Sequence, residues 1–507
     1  MSGTSFAGRD SVDVLFIHPG GLTRVYQTLA SSIAAIEPPT FAALCAEYLR
    51  RNGLGVQIID AAALQLSLDD LARVVAEDLA PKLVVLAVYG LQPSASTQMM
   101  PAAGAAARAV KRATPDMPIM MIGAHPAALP ERTLAEEWVD YVCDREGPET
   151  ILLTLQALAS GRHRLHSVPS LWYQHHGRIV HNPPADLIKD LDSVMPSPAF
   201  DLLPMGLYRA HNWHCFDHLD QRQPYASLYS SFGCPFECSF CCINAPFGRP
   251  AYRMWRPETV LAQIDRLVEV YGVRNIKIVD EMFVLNARHV EQICDLLIER
   301  GYDLNIWAYA RVDTVKTRML PKLRAAGFRW LALGIESGSQ QVRDGVQKGR
   351  FGAQDILAVV RAIQAVGIHV IGNYIFGLPD DTRESMEQTL QLALEANCEF
   401  ANFYAAMAYP GSPLYARAIA EHWELPDSWI GYSQHSYESC PLPTATLTSA
   451  DVLRFRDEAF ARYFSEPRYL DRVRDLFGQD VVRHLSEVTA TPLPRKLYGP
   501  GSPEAIP

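Results

Sequence analysis

Short apolar runs alternate with helical patterns along most of the chain, and that alternation restricts the fold more than any other feature. In the first part the runs are "DVLFIHPGG", "VQIID", "LVVLAVYG", "PIMMIGAHP" and "YVC", the last ending at residue 143. Segments rich in Val, Ile and Leu that are apolar on both faces belong inside a parallel sheet with helices over it. Five of them predict a doubly wound, Rossmann-like domain over 12–160. The GxGxxG fingerprint of a dinucleotide site is missing, because "GLG" at 53–55 precedes its strand instead of following one.

Residues 161–222 read as a linker with some structure of its own: a small hairpin in "VPSLWYQHHGRIVHNPP" and an extended piece in "MPSPAFDLLP". Strand candidates resume at "YASLYSSFG", "VRNIKIVDEMF", "LNIWAYARVD", "WLALGIES", "HVIGNYIFGLP" and "FANFYAAMAYPG". Six is short of the eight that close a barrel, so 223–416 is expected to form an open, partial (β/α) barrel. Pro257 opens one intervening helix, with Val260, Ile264 and Leu267 on a single face; Asp381 and Glu384 have capping-box spacing before another. Residues 417–507 turn mainly helical and end in "TPLPRKLYGPGSPEAIP", expected to be mobile.

A chain of 507 residues exceeds one hydrophobic core and should divide into about three units. Its 46 basic and 56 acidic residues give a net charge of -10, with no field to attract phosphate backbones, so nucleic acid is not an expected partner. The start, "MSGTSFAGRDSVDVLF", lacks the basic patch and apolar stretch of a secretory signal. No apolar run reaches the roughly 18 residues of a transmembrane segment. A cytoplasmic location follows as the expectation, and in that reducing compartment clustered cysteines bind metal or do chemistry.

Such a cluster exists. "SSFGCPFECSFCC", residues 230–242, holds four of the ten cysteines. Cys234, Cys238 and Cys241 stand as CxxxCxxC just after the first strand of the second unit; Cys242 is extra and reads as a buried side chain. Three thiolates from one loop can hold three corners of a cubane iron–sulfur cluster and leave the fourth iron without a protein ligand. Zinc is the alternative, but structural zinc sites take four ligands and no second CxxC completes one.

CxxxCxxC with Phe240 before the last cysteine resembles the signature of radical S-adenosylmethionine (radical SAM) enzymes. The resemblance implies a partial (β/α)6 TIM-type barrel, a 4Fe–4S cluster, and S-adenosylmethionine on the open iron as source of a 5'-deoxyadenosyl radical. It also implies an external electron donor of flavodoxin or ferredoxin type. Carried onto this sequence, Glu336 of "GIESGS" would meet the ribose hydroxyls, Asp280 and Glu281 of "VDEMF" the methionyl amine, and Arg311 of "YARVD" the carboxylate. The family's GGE is VDE here, and a structural Glu336–Arg311 ion pair is the competing reading of those charges.

The first unit carries a second resemblance. "EPPTFAALCAEYLRRNGLGVQIID", "IGAHPAALPE" and "DREGPETI" are similar to the cobalamin-binding domain that precedes the barrel in one radical SAM subgroup. Its DxHxxG motif is absent, and His18-Pro19-Gly20-Gly21 keeps only HxxG; Gly-Glu-Gly-Glu becomes Arg145-Glu146-Gly147-Pro148, whose Arg could meet a propionamide or phosphate of the cofactor. The expected cradle is the loops at 18–23, 89–97 and 123–130, at the carboxyl ends of the strands. Its candidate contacts are His18, Gly20, Gly90, Gly123 and His125.

"HNWHCFDH" places His211, His214, Cys215 and His218 at metal-ligand spacing if helical; a cavity wall or interdomain contact is the other reading. The expectation is therefore an α/β chain: a Rossmann-like cobalamin domain, a partial barrel and a helical C-terminal extension. The resemblance implies a methyltransferase acting on an unactivated carbon, or phosphorus, of a small metabolite, lipid or natural product. A cyclase or ring-rearranging enzyme with the same cofactors and a non-catalytic sensor are the alternatives.

Overall fold

The computed structural model describes residues 11–90, 92–490 and 492–498. The first sheet comprises β1 (Val14–His18), β2 (Val56–Asp60), β3 (Leu83–Val88), β4 (Ile119–Gly123), β5 (Tyr141–Cys143), β6 (Leu171–His175) and β7 (Arg178–His181), in the order β2-β1-β3-β4-β5-β6-β7. Its first five strands are parallel and nearly all buried, as their uninterrupted apolar runs require. The hairpin expected between the two main units is there, but β6 pairs antiparallel with β5, so the sheet has seven strands instead of five. The reason lies in β5, which is three residues long and buried. The hairpin covers its edge, and the Trp172 indole N–H reinforces the contact by donating to Asp144 at 2.8 Å.

The second unit starts with β8 (Tyr225–Leu228). A two-residue antiparallel ladder of β9 (Ser231–Phe232) and β10 (Arg253–Met254) follows, and then β11 (Asn275–Ile278), β12 (Asn305–Arg311), β13 (Phe328–Glu336), β14 (His369–Phe376) and β15 (Phe400–Ala405). The six long strands form one all-parallel sheet, β15-β14-β13-β12-β11-β8. Side chains from β11 to β15 line one cavity, so the sheet is curved, and its edges β8 and β15 are not paired among the described residues. This is the open barrel that six strands predict.

The first unit covers the β8 side of the seam: the hydroxyls of Thr40 and Ser227 lie 2.6 Å apart, and Tyr225 donates to Glu37 at 2.9 Å. On the β15 side lies the helix Ser449–Ser465, where Arg456 donates to the Phe403 carbonyl at 2.7 Å. One apolar core runs through both units, with Phe41 and Phe232 rings 5.6 Å apart across the junction.

Two local expectations change. The helix Arg383–Ala396 is capped by Thr382, not Asp381, because the Asp381 carboxylate already accepts from the backbone N–H groups of Gly377 and Leu378. In the C-terminal tail, Thr491 and residues 499–507 lie outside the described residues. Residues 492–498 are tied down: the fully buried Arg495 side chain donates twice to Asp457 at 3.0 Å and to the carbonyls of Gln434 and Ser436.

Gly123 ends β4 at φ +145, and a Cβ there would lie 2.1 Å from the Val88 carbonyl oxygen of the adjacent strand. Gly123→Ala should therefore lower unfolding stability by about 3 kcal/mol or more, read by denaturant titration.

Candidate functional site

The cysteine loop leaves the barrel sheet after β8 and is closed at its base by the β9-β10 ladder, so its excursion is fixed at both ends. Asp280, just past β11, holds the same base. Its carboxylate accepts from the Ser230 N–H, the Ser230 hydroxyl and the Ser231 hydroxyl, each at 2.6 Å. Burial pushes the Asp280 carboxyl up against the pull of those hydrogen bonds.

Cys234 and Cys238 are buried and Cys241 is partly so; all ten cysteines are free thiols. Burial pushes Cys234 up to about 11 and Cys241 well above its ordinary value, so positive charge is required to make them thiolates. Arg311 supplies part of it. Its Nη1 donates to the Cys238 sulfur at 3.4 Å, while its plane lies 3.8 Å over the Phe236 ring. Among the described residues no three His, Cys, Asp or Glu side chains converge on a single ion. A cubane asks for no such convergence, since each thiolate takes its own iron.

The loop opens into a cavity of about 590 Å³ shared with the first unit. Cys234, Cys238, Phe240 and Cys241 line it, as do Glu281, Arg311 and Glu336 from the strand ends. Across it lie His18 at the end of β1, Gly20 after it and Gly90 after β3. The structure thus brings most of the sequence-derived site residues together. Asp280, Gly123 and His125 do not line this cavity: Asp280 faces the serines, and Gly123 packs on β3. His125 is buried edge-on against Trp429 at 4.4 Å, with Nδ1 3.2 Å from the Thr97 hydroxyl, and burial pulls its imidazole down to about 3.

Glu281 has no hydrogen-bond or ion-pair partner among the described residues. Burial pushes its carboxyl up to about 7, against the pull of Lys277. Glu336 does not pair with Arg311. It pairs at 2.6 Å with Lys348, both side chains 8% exposed, and Arg311 turns instead to Asp313 at 3.0 Å and to the Lys348 carbonyl. Burial pulls the Lys348 ammonium down, but Glu336 outweighs it and holds the ammonium above its usual value. Glu336 also sits at φ +65, where β13 shifts register against β14, a conformation uncommon for a side chain of that size.

Two residues that sequence reasoning missed belong to this wall, Lys348 and Lys277. Lys277 pairs with Glu37 at 3.0 Å and lies 4.8 Å over the Trp307 ring. A lysine at an inward position of an otherwise apolar strand was the signal for Lys277. Lys348, on the loop after the helix Gln340–Gly345, had none.

The "HNWHC" constellation does not converge. His211 Nδ1 accepts from the Ala35 N–H, His214 bonds the Asn305 carbonyl, Cys215 lies against Asn275, and His218 is exposed. Only one 3-10 turn forms there, so helical spacing never applies. Burial pulls His211 down to about 4 and His214 to about 3; the segment plugs the junction between the units. Arg145 packs against Gly248 of the cysteine loop, and Glu146 pairs with Arg253 of β10 at 2.8 Å, so both sit at the interdomain junction.

The donor set fits the groups that the sequence implies. Three thiols share one loop, an unpaired carboxylate faces the same cavity, and the buried His18 Nδ1 has no hydrogen-bond partner. Such a fold and site define a radical SAM enzyme with an attached B12-binding domain. The Radical SAM superfamily profile matches residues 228–393, and the B12 binding domain profile matches residues 26–153. An uncharacterized methyltransferase of Pyrococcus horikoshii is 30% identical over 444 residues, 87% of this chain and 90% of its own. The anaerobic magnesium-protoporphyrin IX monomethyl ester cyclase of Rubrivivax gelatinosus is 28% identical over 79% of this chain and 69% of its own.

Among solved structures, the radical S-adenosylmethionine methyltransferase TsrM from Kitasatospora setae, with cobalamin and a 4Fe-4S cluster bound, has a TM-score of 0.65. Its sequence identity is 17%, and the match covers 90% of each chain. The cobalamin-dependent S-adenosylmethionine radical enzyme OxsB, with aqua-cobalamin and S-adenosylmethionine bound, gives 0.66 at 15% identity, over 92% of this chain and 70% of its own. At those identities both show the fold alone. The chain belongs to the cobalamin-binding radical SAM family, whose cofactors are a 4Fe–4S cluster, S-adenosylmethionine and cobalamin. It is an enzyme of the methyltransferase-like kind, not a sensor without turnover. No helix among the described residues is long and apolar enough to cross a membrane.

Proposed function

We propose that the chain is a methyltransferase acting on an unactivated carbon, or phosphorus, of a small metabolite, lipid or natural product. One observation carries the reading: the cysteine loop and the β1 and β3 loops of the first unit open into the same cavity. A radical source and a methyl carrier must both reach one substrate, and a shared chamber holds the three within reach while excluding water.

When bound, the cofactors supply the electron, the hydrogen-abstracting radical and the methyl group. In this reading Cys234, Cys238 and Cys241 hold the cluster, and Phe240, Glu281, Arg311 and Glu336 hold S-adenosylmethionine. Asp280 acts one step back, by fixing Ser230 and Ser231 at the base of the loop. His18, Gly20 and Gly90 line the cobalamin side, and Gly123 and His125 set the backbone behind it. A flavodoxin- or ferredoxin-type protein delivers the electron, in the reducing cytoplasm that ten free thiols suit.

Similarity to the cyclase of Rubrivivax gelatinosus favours a second reading, ring formation without methyl transfer. Product stoichiometry separates the two once a substrate is in hand. Methyl transfer yields S-adenosylhomocysteine and 5'-deoxyadenosine in equal amounts. Ring formation yields deoxyadenosine without stoichiometric S-adenosylhomocysteine. Anaerobic reconstitution with iron and cobalamin should also load close to one cobalt per chain, and substoichiometric cobalt would remove both readings.

A further inference from the structure

The cavity extends past the cofactor-facing residues to the C-terminal extension, and there it has a charged corner that the reading above does not use. Arg456 lines the cavity and is 6% exposed. Its guanidinium has five N–H donors. Nε donates to the Phe403 carbonyl at 2.7 Å and Nη1 to Asp457 at 2.7 Å, which leaves three with no acceptor among the described residues.

Asp457 does not cancel the charge of Arg456 alone, because Arg495 claims the same carboxylate with two hydrogen bonds of 3.0 Å. Two guanidiniums therefore share one carboxylate, and the corner carries one surplus positive charge on two buried arginine side chains. Isolated buried charge is costly unless a counter-ion meets it. His435, beside Arg456 on the same cavity wall, has a buried Nδ1 with no hydrogen-bond partner. Burial, reinforced by the two guanidiniums, keeps that imidazole neutral, so its ring N–H can donate a hydrogen bond to an anion without adding charge.

The surroundings define the rest of the ligand. Phe460 and Phe464 follow Arg456 at four and eight residues along the helix Ser449–Ser465, on one face, and line the same cavity. Leu485 and Val488 from the helix Gln479–Thr489 continue the apolar lining. We propose that this trough is the substrate's anchoring site, in which Arg456 and His435 grip a single carboxylate and the Phe460–Phe464 stripe holds an apolar body. One surplus charge matches a monoanion, and the planar fork of the guanidinium suits a carboxylate.

The inference deepens the proposed function and rests on the cavity being that enzyme's substrate chamber. Binding alone tests it, so a failure here leaves methyl transfer standing, and a failure of methyl transfer leaves the binding result standing. The probes are decanoate, below its micellar concentration, and its uncharged counterpart decanol, below its solubility limit. Hydroxocobalamin is the third, because its phosphodiester is the other monoanion that could reach Arg456. Each is titrated calorimetrically into the full chain reconstituted with its cluster, without reductant, as wild type, Arg456→Gln and His435→Phe.

Decanoate should bind saturably to the wild type and about 10-fold to 100-fold more weakly to Arg456→Gln, the worth of a hydrogen-bonded charge. Decanol should bind the wild type correspondingly weakly, and hydroxocobalamin affinity should be the same in all three proteins. Equal affinity of the wild type for decanoate and decanol would overturn the assignment, and that comparison needs no variant to fold. So would a loss of hydroxocobalamin affinity in Arg456→Gln with decanoate binding intact, which would give the corner to the cofactor.

Discussion

A Cys238→Ala chain reconstituted anaerobically with iron and sulfide should contain no stable 4Fe–4S cluster and should form no 5'-deoxyadenosine from S-adenosylmethionine. The expected loss in the rate of reductive cleavage is about 10⁴-fold or more, roughly 5 kcal/mol of barrier. Cys238 is the cysteine whose sulfur receives the Arg311 hydrogen bond, so its removal takes away one of the three proposed iron ligands and leaves a buried guanidinium donor without that acceptor. Cys242→Ala is the matched control. Cys242 is also buried and directly follows Cys241, yet it falls outside the CxxxCxxC spacing, so that variant should keep the iron content and absorption of the wild type. If Cys242→Ala lost iron while Cys238→Ala retained it, the assignment of the three ligands would be wrong. Iron analysis together with chromatography of the deoxyadenosine product decides the matter.

The places of the parallel strands along the chain were legible because most of them are short apolar runs bounded by turn residues, the pattern of strands buried on both faces. That is why "VQIID" and "WLALGIES" are read directly as β2 and β13. Less could be read of the pieces whose position depends on what they pack against. "LWYQH" and "RIVH" announce a hairpin but not its partner; only the short, buried β5 explains why they join the first sheet. The site divides in the same way. CxxxCxxC is local, and so are Arg311 and Glu336 at strand ends, where barrel chemistry places function. The pairing of those charges is not local. Glu336 meets Lys348 from a loop twelve residues on, which left Arg311 free to face the Cys238 sulfur, and no spacing rule predicts that exchange of partners. Asp280 is the converse case, a carboxylate just past a strand end that accepts from the two serines bracing the loop instead of lining the cavity.

That exchange makes Lys348 the most exposed point of the design to mutation. Lys348→Met should destabilise the fold by about 3–5 kcal/mol, because it strands the buried Glu336 carboxylate without the one ion-pair partner it has among the described residues. In the role proposed for Glu336, the substitution should also weaken S-adenosylmethionine binding by roughly 10-fold or more, since a carboxylate that has lost its partner no longer holds its place on the cavity wall. Lys348→Arg, which keeps the charge, should recover most of the stability while the longer fork displaces Glu336 and leaves part of the binding defect. Denaturant titration reads the first effect, and equilibrium binding of S-adenosylmethionine to the reconstituted protein reads the second. A Lys348→Met chain with wild-type stability and wild-type affinity would mean that the Glu336–Lys348 pair neither holds β13 in its bulged, positive-φ ending nor shapes the ribose side of the cavity. The strain at Glu336 argues against that outcome. A side chain held at φ +65 at the mouth of the barrel persists only when its surroundings over-determine it, and the 2.6 Å contact to Lys348 is the interaction positioned to do so.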